Sequence, residues 1–315
     1  MAPNQASRSL ALGETPRPQG ATPNGRVVVT GGSGKLGRAT VSHLASNGWE
    51  VINFDTRRPP GAAEDGKTGI GGAYRLVEVD LTDMGSVLEA LMECDMAYSG
   101  IDAIVHLAAI PSPGQTSSSR QFQTNFMATY NILEAARKLK ITNLVLASSE
   151  TLIGIPLSTP PPSLPITEET PREPQSAYSL SKLMGEHLAD QYSRWCPESK
   201  YLSLRFSNVM LQEEYANFEA WQKDPSARSW NCWGYIDARD GAKAVELALK
   251  SDLKGHEAFL VANNNTVMRT PSADLAKQVY PGVPYEPKTK NANETLLCIE
   301  KARKMLGFEP QYDWK

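Results

Sequence analysis

Tyr178 and Lys182 stand four residues apart in Tyr178-Ser179-Leu180-Ser181-Lys182. On a helix that spacing puts a phenol and an ammonium on one face. Far upstream, Thr30-Gly31-Gly32-Ser33-Gly34-Lys35-Leu36-Gly37 joins an apolar run to a helical pattern. A glycine-rich turn in that place receives a dinucleotide pyrophosphate on main-chain amides and a helix N-terminus. Between the two lies Ser148-Ser149. A tuned phenol can trade a proton with an alcohol, and a serine hydroxyl can orient the same oxygen. In this order and in one chain, these residues imply nicotinamide redox chemistry.

The elements that must position them follow from periodicity. Arg26–Thr30 is a short apolar run and reads as a buried parallel strand. Lys35–Asn47 reads as a helix, with Leu36, Ala39, Thr40, His43 and Leu44 on one face and Gly48 as its stop. Glu50–Phe54 is a second strand ending at Asp55, residues 57–73 a surface loop, and Tyr74–Val79 a third strand. The turn Asp80–Asp83 leads into a helix to about Glu93. Asp102–Leu107 and Asn143–Ala147 read as strands on either side of a long amphipathic helix, Phe122–Lys140. Such alternation demands crossover connections, which predicts an α/β fold: a Rossmann-type, doubly wound parallel sheet.

After Ser149 the rhythm changes. Pro156, Pro160, Pro161, Pro162, Pro165, Pro171 and Pro174 make 154–175 an ordered arm rather than regular structure. The Tyr178 helix, a strand Tyr201–Phe206, an irregular aromatic stretch 209–235, a helix Ala238–Lys250 and a strand Glu257–Val261 follow. The expected division is a flexible tail over 1–25 and a dinucleotide-binding domain with the catalytic helix over 26–206. Residues 207–315 are mainly a small C-terminal substrate lobe, with 236–262 returning to the Rossmann core.

Composition narrows the function classes. Of 315 residues, 41% are hydrophobic and 21% charged, enough for a real core. Thirty-two basic against 35 acidic residues give a net charge of −3, which speaks against nucleic-acid binding. No apolar run approaches the roughly 18 to 20 residues that span a bilayer, so no membrane association is expected. Residues 1–25 lack the apolar region of a secretory signal. Cys94, Cys196, Cys232 and Cys298 are far apart and read as reduced thiols of a cytoplasmic protein. His43, His106, His187 and His256 are equally dispersed, and no metal site is expected.

At the cofactor end, Gly31, Gly34 and Gly37 have the spacing G-x-x-G-x-x-G, suited to a tight turn, phosphate approach and helix–strand packing. Asp55, eighteen residues after Gly37, is placed to bind the adenosine ribose hydroxyls and so favours NAD. Arg57 and Arg58 beside it keep NADP possible. Asp80 suits either an adenine-edge contact or a cap for the turn that follows.

These residues resemble the extended branch of the short-chain dehydrogenase/reductase superfamily, the epimerase/dehydratase-like branch, over about residues 26 to 310. The resemblance rests on residues 30–37, Asp55, Asp80-Leu81, His106-Leu107-Ala108-Ala109, Asn125, Ser148-Ser149, the Pro165–Pro171 arm, residues 178–182 and Leu204–Asn208. It implies that Tyr178 is the acid/base, that Lys182 tunes it and reaches the nicotinamide ribose, and that Ser149 holds the substrate oxygen. It further implies cofactor contacts from Gly31, Ser33, Gly34, Lys35, Leu36, Gly37, Asp55, Asp80, Leu81, Leu107, Ala108, Ala109, Asn125, Tyr178, Lys182 and Phe206. A homodimer built through the helices that include the Tyr178 helix is implied in the same way. An ammonium near Tyr178 is expected to lower the phenol pKa from about 10 by roughly 1 to 3 units.

Departures from the pattern narrow the reaction. Dehydratases of this branch carry an acidic pair after the serine or threonine, whereas Ser149-Glu150-Thr151 holds one acid, against dehydration. Twenty-five residues separate Asn208 from Gly234, short for a lobe that grips a nucleoside diphosphate, although Arg228 and Arg239 are candidate clamps. Trp221, Trp230 and Trp233 suit either the roof of a small pocket or the core of the lobe. The compact form is similar to uronate dehydrogenases. The expectation is an NAD(P)-dependent oxidoreductase acting on a hydroxyl or carbonyl of a small-molecule substrate, a monosaccharide or sugar acid. The alternatives are a nucleotide-sugar epimerase that does not consume its NAD, and a non-catalytic NAD(P)-binding regulator.

Overall fold

The apolar run Arg26–Thr30 is strand β1, and every residue of it is buried. Val27 and Val29 point into one core layer with Val41, Leu44 and Val245. Val28 points into the other, with Ile52, Phe54, Leu91 and Ile132. A strand covered on both faces needs an unbroken apolar run, as this one is. The computed structural model describes residues 24–58, 67–68, 74–98, 100–157 and 159–315. The expected tail, but for its last two residues, and most of the 57–73 loop lie outside the described residues.

The elements run β1, α1 (Lys35–Ser46), β2 (Glu50–Asp55), β3 (Lys67–Thr68), β4 (Tyr74–Glu78), α2 (Met84–Tyr98), β5 (Ala103–His106), α3 (Ser118–Leu139) and β6 (Asn143–Ser149). Then come α4 (Ala177–Trp195), β7 (Lys200–Phe206), β8 (Val209–Met210), α5 (Phe218–Trp221), β9 (Ile236–Asp237), α6 (Ala238–Lys250), β10 (Gly255–Val261), α7 (Ser272–Val279) and α8 (Glu300–Leu306). The main sheet has the order β10-β7-β6-β5-β1-β2-β4-β3. All its pairs are parallel except β3 with β4. Strand β1 is the switch point: its early partner β2 lies on one side and the later β5 on the other. Ligands of such sheets bind outside the carboxyl ends of the strands at that point.

Three local departures from the sequence reading have physical causes. Helix α3 begins at Ser118 rather than Phe122, because a serine-rich lead with Ser117 as the cap position suits a helix start. Within the expected 57–73 loop, Lys67 and Thr68 pair antiparallel with Arg75 and Tyr74. The proline arm is laid as strand-like bridges along the C-terminal segment, with Leu164 N–H on the Pro284 carbonyl and Ile166 N–H on the Leu296 carbonyl, both at 2.8 Å. Pro165, which has no N–H to give, falls between the two donors.

A buried ion pair joins β7 to α4. Arg205 of β7 donates to both oxygens of Glu186 at 2.9 and 2.8 Å, and the Ser148 hydroxyl adds a third bond at 2.6 Å. Burial works against the Glu186 carboxylate, but Arg205 and Ser148 overcome it and hold its pKa below the ordinary value. Ser148 therefore completes the strand and anchors α4. Among the described residues no helix is long and apolar enough to cross a membrane, and no cluster of potential metal ligands occurs.

Candidate active site

The glycine loop leaves β1 at Gly31, whose φ of +70° belongs to the left-handed region that favours glycine. A Cβ there would come within 2.6 Å of the Ala108 nitrogen, and one at Gly37 within 2.1 Å of the Gly31 carbonyl oxygen. Bare backbone at both positions brings the start of α1 against the ends of β1 and β5. Gly34 sits at the N-cap of α1 with no side-chain cap, and the first turn carries no acid. Free amides and an uncontested positive helix end fit a pyrophosphate. Asp55, at the end of β2, accepts from Ser33 N–H at 3.0 Å and Arg57 N–H at 3.1 Å, which fixes its carboxylate beside the loop. These residues fit a dinucleotide.

Other members of the expected contact set sit differently. The Lys35 ammonium turns to Glu214, at 2.7 and 2.9 Å, and to the Val209 carbonyl, tying the loop to the 212–217 turn. Asp80 accepts from the Thr82 N–H and hydroxyl, so it caps its own turn. Leu81 is buried and Asn131 donates to its carbonyl. Leu36 and Phe206 both approach Gly241 of α6. Asn125 is buried, and its amide embraces the Ile110 backbone, accepting its N–H at 2.8 Å and donating to its carbonyl at 3.2 Å. It thereby pins the Leu107-Ala108-Ala109 segment, and its 3.4 Å contact with Ser181 joins that segment to α4. His106 lies below, bridging Thr30 and Thr129; burial first, then the Lys182 charge, lowers its pKa to about 3.

Ser149, Tyr178 and Lys182 assemble where β6 ends and α4 begins. Ser176 and Ser179 form a reciprocal capping box that fixes the first turn of α4. Tyr178 is in that turn and Lys182 one turn on, where its ammonium donates to the Ala147 carbonyl at 2.7 Å. The ammonium is 5.8 Å from the centre of the Tyr178 ring. Ser149 closes β6, caps the following turn and interacts with the Tyr178 phenol. The electrostatics correct the sequence expectation: burial pushes the phenol up to about 12, outweighing Ser149, and the Glu150 charge adds to the rise. Burial also lowers Lys182 to about 8. In the free protein the phenol stays protonated near neutrality.

The aromatic stretch resolves into core and clamp. Trp233 is fully buried, while Trp221 and Trp230 each stack on the Arg228 guanidinium with 4.7 Å to the ring centre. Arg228 donates to the Gly234 carbonyl at 3.1 Å. Arg239 is bidentate to Asp237 and lies over Tyr312. Sequence reasoning missed Asn231, whose amide donates to Glu150 at 3.1 Å. Nothing but its place among tryptophans marks it, because the partner is 81 residues away.

Residues 27–223 match the NAD dependent epimerase/dehydratase family. The chain belongs to that family. It is 26% identical to a UDP-glucose 4-epimerase of Corynebacterium glutamicum over 91% of both chains. It is also 32% identical to an L-arabinose 1-dehydrogenase (NAD(P)(+)) of Haloferax volcanii, over 53% of this chain and 61% of the relative. A solved structure of a mutated uronate dehydrogenase shares the fold, with a TM-score of 0.63, 22% identity, and coverage of 92% of this chain and 82% of that one. The relatives thus include both an epimerase and a dehydrogenase.

Proposed function

We propose that this protein is an NAD(P)-dependent oxidoreductase acting on a hydroxyl or carbonyl of a small molecule, a monosaccharide or sugar acid. The observation that carries the reading is the fate of the two arginines. Arg228 is sandwiched by tryptophans and turned to main chain, and Arg239 is neutralised by Asp237. Both guanidiniums are already engaged within the chain, which speaks against a diphosphate clamp, whereas the Ser149, Tyr178 and Lys182 set is complete. The glycine loop and Asp55 would hold NAD, which when bound supplies the hydride acceptor. Ser149 orients the substrate oxygen, and Tyr178 takes the hydroxyl proton as the carbon is oxidised. Lys182, held on the Ala147 carbonyl, keeps a positive charge near the phenol. The long alignment with the Corynebacterium epimerase favours the second reading, a nucleotide-sugar epimerase.

The test is nicotinamide absorbance with NAD or NADP against free uronic acids, neutral sugars, simple alcohols and UDP-sugars. Reduction of NAD by a free sugar or sugar acid is the expected result. Isomerisation of a UDP-sugar without net NADH would replace this reading with the epimerase. The cofactor preference has its own prediction. Asp55→Ala should weaken NAD roughly tenfold more than NADP, about the 1.5 kcal/mol of a hydrogen bond to a charged group. Fluorescence titration with both reduced cofactors measures the ratio, and an unchanged ratio would move the preference to Arg57 or Arg58.

A further inference from the structure

Two buried glutamates flank the serine pair at the end of β6, and they are treated in opposite ways. Glu186, on Ser148, has both oxygens bound by Arg205 and stays charged. Glu150, next to Ser149, is 3% exposed, and a single amide, Asn231, reaches its Oε1. Its Oε2 has no hydrogen-bond partner. Ser207 Oγ, Arg228 Nε and Asn231 Oδ1 are buried and unpartnered in the same cluster. Burial pushes the Glu150 carboxyl up to about 7, against the opposing pull of the Asn231 amide and the Arg228 charge. A carboxyl kept only to hold the fold would be paired as Glu186 is.

The far side of the cluster is rigid. Cys232 and Trp233 have φ of 52° and 56°, consecutive non-glycine residues in the left-handed region. Such backbone persists only when its surroundings enforce it. The Trp233 N–H on the Arg228 carbonyl and the Gly234 N–H on the Asn231 carbonyl close this turn and aim Asn231 at Glu150. A Cβ on Gly234 would meet Ser207 Oγ at 2.8 Å, so the turn also abuts the end of β7.

We propose that Glu150 is a positioning residue that joins the 225–234 turn of the substrate lobe, through Asn231, to the Ser149 end of β6 and so to the Tyr178 site. The charged and titratable groups that face it are Arg228 and Cys232 from the lobe and Tyr178 from α4. Lys182 faces His106 and the Ala147 carbonyl instead. While Glu150 is neutral it leaves the phenol alone; once ionised it raises the cost of phenolate. The kinetic arm rests on the acid/base assignment of Tyr178 made above.

The experiment is the pH profile of kcat together with pH-dependent thermal melting, for wild type and Glu150→Gln. The variant should move the rising limb of kcat to lower pH by about one unit, the scale of one neighbouring like charge. The melts need no substrate. A folded-state pKa above the ordinary 4.5 adds stability at low pH that is lost as pH rises through about 7, so wild type should lose stability relative to Glu150→Gln over that window. Equal destabilisation at every pH with an unmoved limb would overturn the proposal. If no substrate turns over, the oxidoreductase reading fails while the melts still decide the titration of Glu150. Should Glu150→Gln not fold, Asn231→Ala gives the same test: losing the amide that favours the carboxylate should move the window to higher pH, and an unmoved window overturns the proposal.

Discussion

Replacing Tyr178 by phenylalanine should cut kcat by roughly 10²–10⁴-fold, the range of a general acid/base, and leave NAD affinity nearly intact. The ring keeps its place in the first turn of α4, because the Ser176–Ser179 box and not the phenol fixes that turn. Only the phenol hydroxyl is removed. Single-turnover absorbance gives the rate and fluorescence titration gives the affinity; unchanged turnover would remove Tyr178 from the mechanism. The effect is large because this phenol has no substitute nearby. Ser149 accepts from the Thr151 N–H and hydroxyl at 3.2 and 2.9 Å, which leaves it an O–H donor and not a base, and Lys182 donates to a carbonyl. An alkaline limit is expected from Lys182: above about 8 its charge is lost, and with it the cation 5.8 Å from the centre of the Tyr178 ring.

The largest loss of stability is expected from Arg205→Leu. That change strands the Glu186 carboxylate, 1% exposed, with only Ser148 and Arg172 at 3.6 Å to answer it. Breaking one side of a buried pair costs about 3–5 kcal/mol. Urea unfolding should show it, and adding Glu186→Leu should recover most of the loss because the orphan charge goes with it. A loss below about 1 kcal/mol for the single variant would mean that the pair behaves as an exposed one. Since the Glu186 pKa is depressed, the pair's contribution is present above the ordinary carboxyl range and fades as pH falls through the folded value.

The sheet and the glycine turn were legible because their signals are local. Val27 to Val29 and Asn143 to Ala147 announce themselves by composition, and Tyr178 with Lys182 by helical spacing. Asn125 was recognisable as a polar residue with a task in mid-helix, but the task, holding Ile110, depends on a contact fifteen residues away. What stayed hidden is whatever burial decides. Nothing within a few residues of Glu150 says that it will be enclosed, or that Asn231 and Arg228 will meet it. The direction of the Tyr178 shift was hidden for the same reason: the ammonium is visible in the sequence and desolvation is not. The three tryptophans divided between core and clamp according to Arg228, which no periodicity marks.

The order of strands also bears on how the chain can be made. Strand β1 emerges first, and β2 and then β4 add to one side of it. Strands β5, β6, β7 and β10 then add to the other side in the order of synthesis. Every parallel strand of the main sheet after the first therefore meets a partner that has already left the ribosome. Nascent chains begin to fold from the N-terminal end, and this topology lets assembly keep pace with translation. The segment that carries Asn231 and Arg228 follows β7 in the chain, so the glycine turn, the end of β6 and α4 are all laid down before it.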